Sequence, residues 1–234
     1  MVIDGNIVTS RGPATAYAFA YKLVELLGGD ALAVKKRMVI LMHLMSRRMN
    51  KMGRVAVLMA EGYEEGETLT IVDLLRRGGL ECQTFSFNNE FVRGMHDMYI
   101  KADKYFNDEI KNYDMLVLPG GRPGGQNLLE NQDVISLVQY FNEHHQYIAA
   151  MCSGTVVLEK ANVIKGKKVT GYTGYQDKLV SGDFVNEVAV FDQNIVTSQG
   201  PATPYPFSFK ILEVFGKDVT EMKEGLMYNF AGGK

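Results

Sequence analysis

The sequence predicts an α/β protein, an open sandwich built on a mostly parallel sheet. Continuous apolar runs at residues 55–60, 114–118 and 147–151 have the length of buried strands. Parallel sheets need such runs because helices cover both of their faces. Amphipathic, helix-like segments at residues 67–77 and 133–145 alternate with these runs. That alternation is typical of right-handed strand–helix–strand crossovers.

The other predicted elements are shorter. In chain order they are a strand at 80–87, a strand or hairpin at 95–102, a strand at 168–170, a hairpin of 187–191 with 194–198, and a helix at 202–215. Pro204 and Pro206 are compatible only with the first turn or so of that last helix, because proline lacks the N–H that an inner turn needs.

An internal repeat divides the chain. Residues 4–30 return as residues 192–218, with sixteen identities at 27 ungapped positions. We interpret residues 1–52 as a partial repeat of the domain's C-terminal strand and helix plus a linker, and residues 53–234 as the complete domain. Residues 1–30 are expected to keep a strand and a helix. We expect no second active site there, because this segment lacks its own cysteine, glutamate loop and Pro-Gly-Gly loop.

Composition excludes several classes of function. The net charge of −2 and the pI near 6.1 give no reason to expect a nucleic-acid or membrane-surface partner. The two cysteines have no spacing typical of zinc or disulfide sites, so we predict no metal and a reducing, cytoplasmic location. No apolar run reaches the roughly 18 residues of a membrane helix, and no secretory signal is recognisable at the N-terminus.

Residues 147–155 carry the first candidate for chemistry. The apolar run ends at Cys152, and a helix-competent segment follows at once. A sharp strand-to-helix turn of this kind exposes the residue at the turn and points a helix N-terminus at it. We therefore expect a lowered pKa for Cys152 and a nucleophilic role. The alternative is that Cys152 is a buried, inert side chain, as free cysteines usually are.

Three loops leave the carboxyl ends of predicted strands, where open α/β sheets place their sites. They are residues 61–67, the segment Pro119-Gly120-Gly121, and the Cys152 turn. Glu61, Glu64 and Glu65 are explained by their position at a helix start. If Glu67 faces Cys152 in a buried site, its carboxyl should be protonated and able to move protons.

Backbone amides supply the second part of the candidate site. The glycine-rich loop lacks the Gly-Lys-Ser/Thr ending of a nucleotide-binding loop. Its amides, with those that follow Cys152, form a candidate oxyanion hole: Gly120, Gly121, Ser153 and Gly154. No histidine follows Cys152, so a Cys-His-acid triad in that chain order is excluded.

Five motifs together resemble the DJ-1/ThiJ/PfpI superfamily, and specifically its DJ-1-like branch. They are AEGYEEGET at 60–68, LPGG at 118–121, AAMCSG at 149–154, KVTGY at 168–172 and TSQGP at 197–201. The resemblance covers residues 53–234, and residues 1–52 resemble the family's C-terminal strand and helix. Each motif alone is weak evidence for this family, but all five motifs in this order are specific for it.

The resemblance implies a flavodoxin-like three-layer sandwich and a homodimer. It also implies a reactive Cys152 whose thiolate is held by the protonated Glu67, with Gly121 and the amides after Cys152 binding an oxyanion. Tyr172 and Gln199 occupy positions where the family often has a histidine and an arginine, and with Glu64 they are expected beside the substrate. His96 falls where a dimer-interface arginine is found. Ser153, in place of a histidine, argues against peptidase activity.

These observations lead to one main hypothesis and two alternatives. The main one is a cysteine enzyme, needing no cofactor, that converts reactive 2-oxoaldehydes or their adducts with protein side chains (glyoxalase III or deglycase type). The first alternative is a non-enzymatic oxidative-stress sensor or chaperone that works through oxidation of Cys152. The second is a small amidase or hydrolase that uses the same oxyanion hole.

Overall fold

A computed structural model of the chain describes residues 2–4, 7–9, 16–34, 36 and 53–229. The chain divides into two compact units, residues 1–51 and residues 52–234. The strands are β1 Val2–Asp4, β2 Ile7–Thr9, β3 Arg54–Met59, β4 Glu81–Ser86, β5 Phe91–Arg93, β6 Tyr99–Lys101, β7 Lys104–Tyr105, β8 Met115–Leu118, β9 Tyr147–Met151, β10 Lys168–Val169, β11 Asp183–Phe184, β12 Ala189–Asp192 and β13 Ile195–Ser198. The helices are α1 Ala16–Leu26, α2 Glu65–Arg77, α3 Gly124–Glu130, α4 Gln132–Glu143, α5 Thr155–Lys160, α6 Pro204–Val214 and α7 Thr220–Gly225.

The first unit contains an antiparallel pair of short strands, β1 and β2, and the helix α1. The strand and helix expected within residues 1–30 are therefore present. The predicted Gly12-Pro13 turn and the linker up to residue 52 lie outside the described residues, apart from a few positions before residue 37. That this unit is a partial copy of the second one stays a prediction.

A seven-stranded sheet forms the centre of the second unit, in the order β12-β13-β9-β8-β3-β4-β7. All neighbouring pairs run parallel except β12 and β13, which form the antiparallel hairpin expected near the C-terminus. This mostly parallel sheet confirms the predicted fold class. Within the described residues, no helix combines the length and the hydrophobicity needed to cross a membrane.

Helices cover both faces of the sheet and give the three layers. Alternate residues of β3 point to opposite sides, as the two-residue period of a strand requires. Val55 and Val57 pack in one apolar cluster with residues of α2 and α6, whereas Ala56 and Leu58 pack in a second cluster with residues of α3, α4 and α5. Because both faces of the strand are buried, the sequence shows a continuous apolar run instead of an alternating one.

Several boundaries differ from the sequence-based prediction. The helix expected from residue 67 begins at Glu65, because the side chain of Glu64 caps it by accepting the N–H of Glu67. The hairpin expected at 95–102 spans β5 and β6, residues 91–101. Helix α3 was missed because its glycine-rich start reads as a loop, and α7 and β11 were missed because short elements carry little periodicity.

Candidate active site around Cys152 and Glu67

Three neighbouring strands bring the predicted loops together. In the sheet β9, β8 and β3 are adjacent, and their ends are in register through the pairs Leu118–Ala150 and Val57–Val117. Each strand runs directly into one of the three loops singled out in the sequence. The candidate residues therefore meet at one edge of the sheet, as expected for the carboxyl ends of parallel strands.

Cys152 lies immediately after β9, at the turn into α5. Its φ is +52°, in the left-handed region that a side chain with a Cβ rarely adopts. A short 3-10 turn, Cys152–Gly154, leads into the helix, and the Thr155 hydroxyl donates to the Cys152 carbonyl at 2.7 Å. Strained backbone of this kind costs about 1–3 kcal/mol and persists where the surrounding structure fixes it. The turn places Cys152 in the lining of a cavity.

Glu67, in the first turn of α2, is completely buried beside this cysteine. Its Oε2 accepts the N–H of Gly120 at 2.9 Å. A methyl group added to Gly120 would lie 2.6 Å from Cys152 Cβ, 2.7 Å from Glu67 Oε2 and 2.9 Å from Cys152 Sγ. These distances bring the carboxyl and the thiol to one point, directly above the Gly120 backbone. Only glycine fits there.

The pKa values of this pair are coupled. Burial raises the pKa of Glu67 to about 7, against the lowering effect of hydrogen bonds from Cys152 and Gly120. Burial, together with the Glu67 carboxylate, raises the pKa of Cys152 to about 12, although the Ser153 amide acts to lower it. This direction is opposite to the lowered pKa expected from the sequence, because the helix dipole is outweighed by burial and a neighbouring negative charge.

One proton is therefore shared by the two side chains at neutral pH. Either group, once charged, raises the pKa of the other, so the pair loses its first proton near pH 7 and its second only near pH 12. Glu67 Oε1 is buried and has no nitrogen or oxygen hydrogen-bond partner in the described part of the chain. A proton carried on this oxygen would be buried with it, which agrees with the raised pKa of the carboxyl.

The predicted oxyanion residues belong to two loops, the glycine-rich loop and the cysteine turn. The hydroxyl of Ser153 donates to the Gly121 carbonyl at 3.0 Å, which ties the cysteine turn to the glycine-rich loop. Gly121 has a φ of +121°, a conformation that glycine adopts without strain. Gly154 is packed against the carbonyl of Leu118, with no space for a side chain. Backbone amides can therefore approach a ligand at Cys152 closely.

A cavity of about 370 Å³ opens above the cysteine, within the size range of small-molecule sites. Of the predicted residues, Cys152, Ser153, Gly121, Glu64 and Tyr172 line it. Gln199 is not in the lining, and its amide donates to Asn186 at 3.0 Å instead. Larger surface clefts, such as one beside α7, lie elsewhere, but neither Cys152 nor Glu67 lines them.

A family model described as the DJ-1/PfpI family matches residues 53–214. The chain belongs to this family. Among curated relatives, protein DJ-1 homolog B of Arabidopsis thaliana is 30% identical over 229 residues, which cover 91% of this chain and 52% of that protein. Deglycase PH1704 of Pyrococcus horikoshii is 30% identical over 156 residues, covering 65% of this chain and 93% of that protein.

Solved structures of DJ-1 proteins agree with the fold. The crystal structure of Drosophila melanogaster DJ-1beta superposes with a TM-score of 0.72 at 32% identity, covering 76% of this chain and 98% of that one. The chain spans only about half the length of the Arabidopsis relatives, 52% of homolog B and 58% of homolog A.

This DJ-1/PfpI site carries a histidine–carboxylate pair next to the cavity. Glu65 is buried, and its two oxygens accept the backbone N–H of His96 at 2.6 Å and contact the ring Nδ1 at 2.8 Å. Burial acts to raise the pKa of Glu65, but the hydrogen bonds from His96 outweigh it and leave the pKa below its usual value. Ligand atoms of Glu64, Glu65 and His96 lie within 4.8 Å of one another. Because His96 already engages both Glu65 oxygens, the arrangement is first of all a hydrogen-bonded pair that fixes the loop.

Five cavity residues were not singled out as site residues by the sequence analysis. They are Met95, His96, Arg122, Tyr175 and Pro201. Tyr172 and Tyr175 form an edge-to-face pair with ring centroids 5.5 Å apart. No sequence signal marks Arg122, which stands in a glycine- and proline-rich loop where arginine is usually just solvated.

Proposed function

We propose that this protein is a cysteine-dependent enzyme, needing no cofactor, that converts reactive 2-oxoaldehydes or their adducts with protein side chains into 2-hydroxy acids. The observation that carries the proposal is the meeting of Cys152 and the buried Glu67 above Gly120, at the floor of a cavity. The name of the Pyrococcus relative, a deglycase, supports the same class of chemistry.

The first step would be attack of Cys152 Sγ on the aldehyde carbon. A C–S bond forms, and the carbonyl oxygen becomes an oxyanion that the amides of Gly121 and of the Ser153–Gly154 turn stabilise. The thiol proton passes to Glu67, whose pKa of about 7 suits a proton carrier at neutral pH. Return of that proton to the oxyanion gives a neutral hemithioacetal and restores the Glu67 carboxylate.

Glu67 would then move a proton between the two carbons. Its carboxylate removes the hydrogen from the carbon bonded to sulfur, which gives an enediolate. The protonated carboxyl returns the proton to the neighbouring carbon, and the hydroxyl proton moves from the first oxygen to the second. The product is a thioester of a 2-hydroxy acid. Water cleaves the C–S bond, releasing the acid and the thiol, so that one oxoaldehyde and one water give one 2-hydroxy acid. With a protein adduct, the released groups are the acid and the free side chain.

Lactate production from methylglyoxal tests this proposal. We expect Cys152→Ser to lose at least about 10³-fold in turnover, because it removes the nucleophile. Cys82→Ser is the matched control, since Cys82 lies in a strand outside the cavity, and it should retain activity. Equal turnover by wild type and Cys152→Ser, or no lactate from folded wild type, would refute the proposal.

A second candidate function is an oxidative-stress sensor or chaperone based on the same cysteine. Both cysteines belong to the same apolar cluster, but Cys152 also lines an open cavity and Cys82 does not. Mild peroxide should therefore oxidise Cys152 first, to sulfenic and then sulfinic acid. Mass spectrometry of the tryptic peptides measures this order. Equal oxidation of the two cysteines in the native protein would count against a sensor.

We also propose a homodimer. Phe91, Met98 and Tyr99, on and beside the β5–β6 hairpin, are large and exposed, and such apolar patches mark interaction surfaces. Light scattering after size-exclusion chromatography should give twice the chain mass, and Tyr99→Glu should reduce it. A wild-type mass equal to that of a single chain would exclude the dimer. A cytoplasmic location stays a prediction based on the two free cysteines.

A further inference from the structure

The lining of the Cys152 cavity contains one charged side chain whose charge is not engaged. Within the described part of the chain, Arg122 makes no hydrogen bond and no ion pair, although it lines the cavity. Glu64 and His96, which also line the cavity, are engaged by neighbouring groups. Glu64 accepts the N–H of Glu67, and the ring of His96 contacts Glu65 at 2.8 Å.

The backbone around Arg122 is held in place, while its side chain has no partner among the described residues. The Gly125 N–H donates to Gly121 at 2.9 Å, and the Gly124 N–H donates to Gly62 at 2.9 Å. Pro123 packs closely against Gly62. The guanidinium therefore extends from a fixed point, one residue after the Gly121 amide that faces the reacting oxygen in the proposed mechanism.

The cavity also has more room than the smallest oxoaldehyde needs. Methylglyoxal has five heavy atoms, comparable to about five water-sized groups or roughly 150 Å³. The cavity offers about 370 Å³. Met95, Pro201 and the Tyr172–Tyr175 pair give the remaining space an apolar wall suited to a short carbon chain.

We propose that Arg122 selects 2-oxoaldehydes that carry an anionic group at the far end of a short carbon chain. The guanidinium would bind the anion, for which its planar pair of N–H donors is well shaped, while the aldehyde reaches Cys152. The choice of carbonyl chemistry rests on the proposed function. The binding of an anion by Arg122 does not rest on the proposed function, since it depends only on Arg122 and the accessible thiol.

The anion contact is tested without any turnover. Iodoacetate and iodoacetamide alkylate the same sulfur, but only iodoacetate is an anion, so the ratio of their rates at Cys152 cancels any change in the thiol itself. We expect Arg122→Gln to lower the iodoacetate-to-iodoacetamide ratio on the order of fivefold, the scale of a partly solvated ion pair. Arg122→Lys keeps the positive charge, so its iodoacetate-to-iodoacetamide ratio should stay close to that of wild type.

Arg77→Gln is the matched control for net charge, because Arg77 is a solvent-exposed arginine at the far end of α2, outside the cavity lining. Its ratio should equal that of wild type. A ratio that does not change in Arg122→Gln, or that falls equally in Arg77→Gln, would overturn the inference.

Kinetics then test the substrate class. We expect wild type to show a higher kcat/KM for γ,δ-dioxovalerate, a 2-oxoaldehyde ending in a carboxylate, than for methylglyoxal, and Arg122→Gln to lower this preference about fivefold through KM. Turnover of methylglyoxal with no preference for the anion would refute the inference and leave the proposed function standing. An iodoacetate preference without turnover of either aldehyde would refute the proposed function and leave the anion site standing.

Discussion

The two cysteines of this chain are alike in most of the properties by which reactive thiols are usually recognised. Both are buried, Cys82 at 4% exposure and Cys152 at 9%, and burial raises the pKa of each to about 12. They differ in what surrounds the sulfur. Both belong to one apolar cluster, but Cys82 lies inside β4, paired with Val55. Cys152 lies past the end of a strand, with a cavity above it and a carboxyl beside it. A neighbouring carboxyl and an open path therefore distinguish Cys152 from Cys82, and the thiol pKa does not.

The largest expected difference between the two cysteines is in labelling of the native protein. Iodoacetamide can reach Cys152 through the cavity, but Cys82 becomes accessible only when the sheet opens, which costs several kcal/mol. We expect Cys152 to react at least about 10³-fold faster at pH 8, measured by mass spectrometry of the two peptides. In urea above the unfolding transition the two rates should converge. Similar rates in the native protein would contradict the role given to the cavity.

A second prediction addresses Glu67. Below pH 7 the pair holds two protons, and above it holds one, so kcat/KM should rise with pH and level off near the pKa of about 7. Glu67→Gln removes the proton carrier and should lower kcat about 10²-fold or more. In the Glu67→Gln variant, the rate of Cys152 alkylation should also no longer rise with pH near pH 7. An alkylation profile identical to that of wild type would show that Glu67 does not share the proton. Glu130→Gln, which removes an exposed carboxylate outside the cavity lining, is the control.

The smallest effect is expected for substitutions of Cys82, which should change stability but not activity. Cys82→Ser places a hydroxyl in an apolar cluster and should lower the free energy of unfolding by about 1–3 kcal/mol. Urea denaturation measures this change, and the activity of the folded variant should equal that of wild type. Cys82→Ala, which adds no polar group, should cost less. If serine and alanine had equal effects, the environment of Cys82 would be less apolar than the structure indicates.

Much of the fold and the centre of the site could be predicted because they depend on local patterns. Buried parallel strands require apolar runs, and the cysteine and the glycine-rich loop both follow such runs directly. The direction of the Cys152 pKa shift could not be predicted, since it depends on burial and on a carboxylate 85 positions earlier in the chain. Gln199 was expected beside the substrate from its motif, but its side chain turns to Asn186.

The internal repeat also shows that local sequence does not determine which residues are buried. Ile7 is 66% exposed in the first unit, whereas its counterpart Ile195 is 1% exposed in the second. Ile195 lies in β13, between β12 and β9, while β2 pairs only with β1 in its own sheet. Nearly the same residues are thus buried or exposed according to the strands that flank them. Local sequence cannot supply that information.

The crowding around Gly120 limits how the specificity of this protein can be redesigned. Any side chain at Gly120, Gly121 or Gly154 would collide with the cysteine, with Glu67 or with backbone carbonyls, so directed evolution of the chemical half of the pocket should yield few viable variants. Arg122, Tyr172 and Tyr175 line the same cavity from outside this crowded floor. A saturation library confined to those three positions should therefore retain the reacting pair in most of its members while varying the substrates they accept.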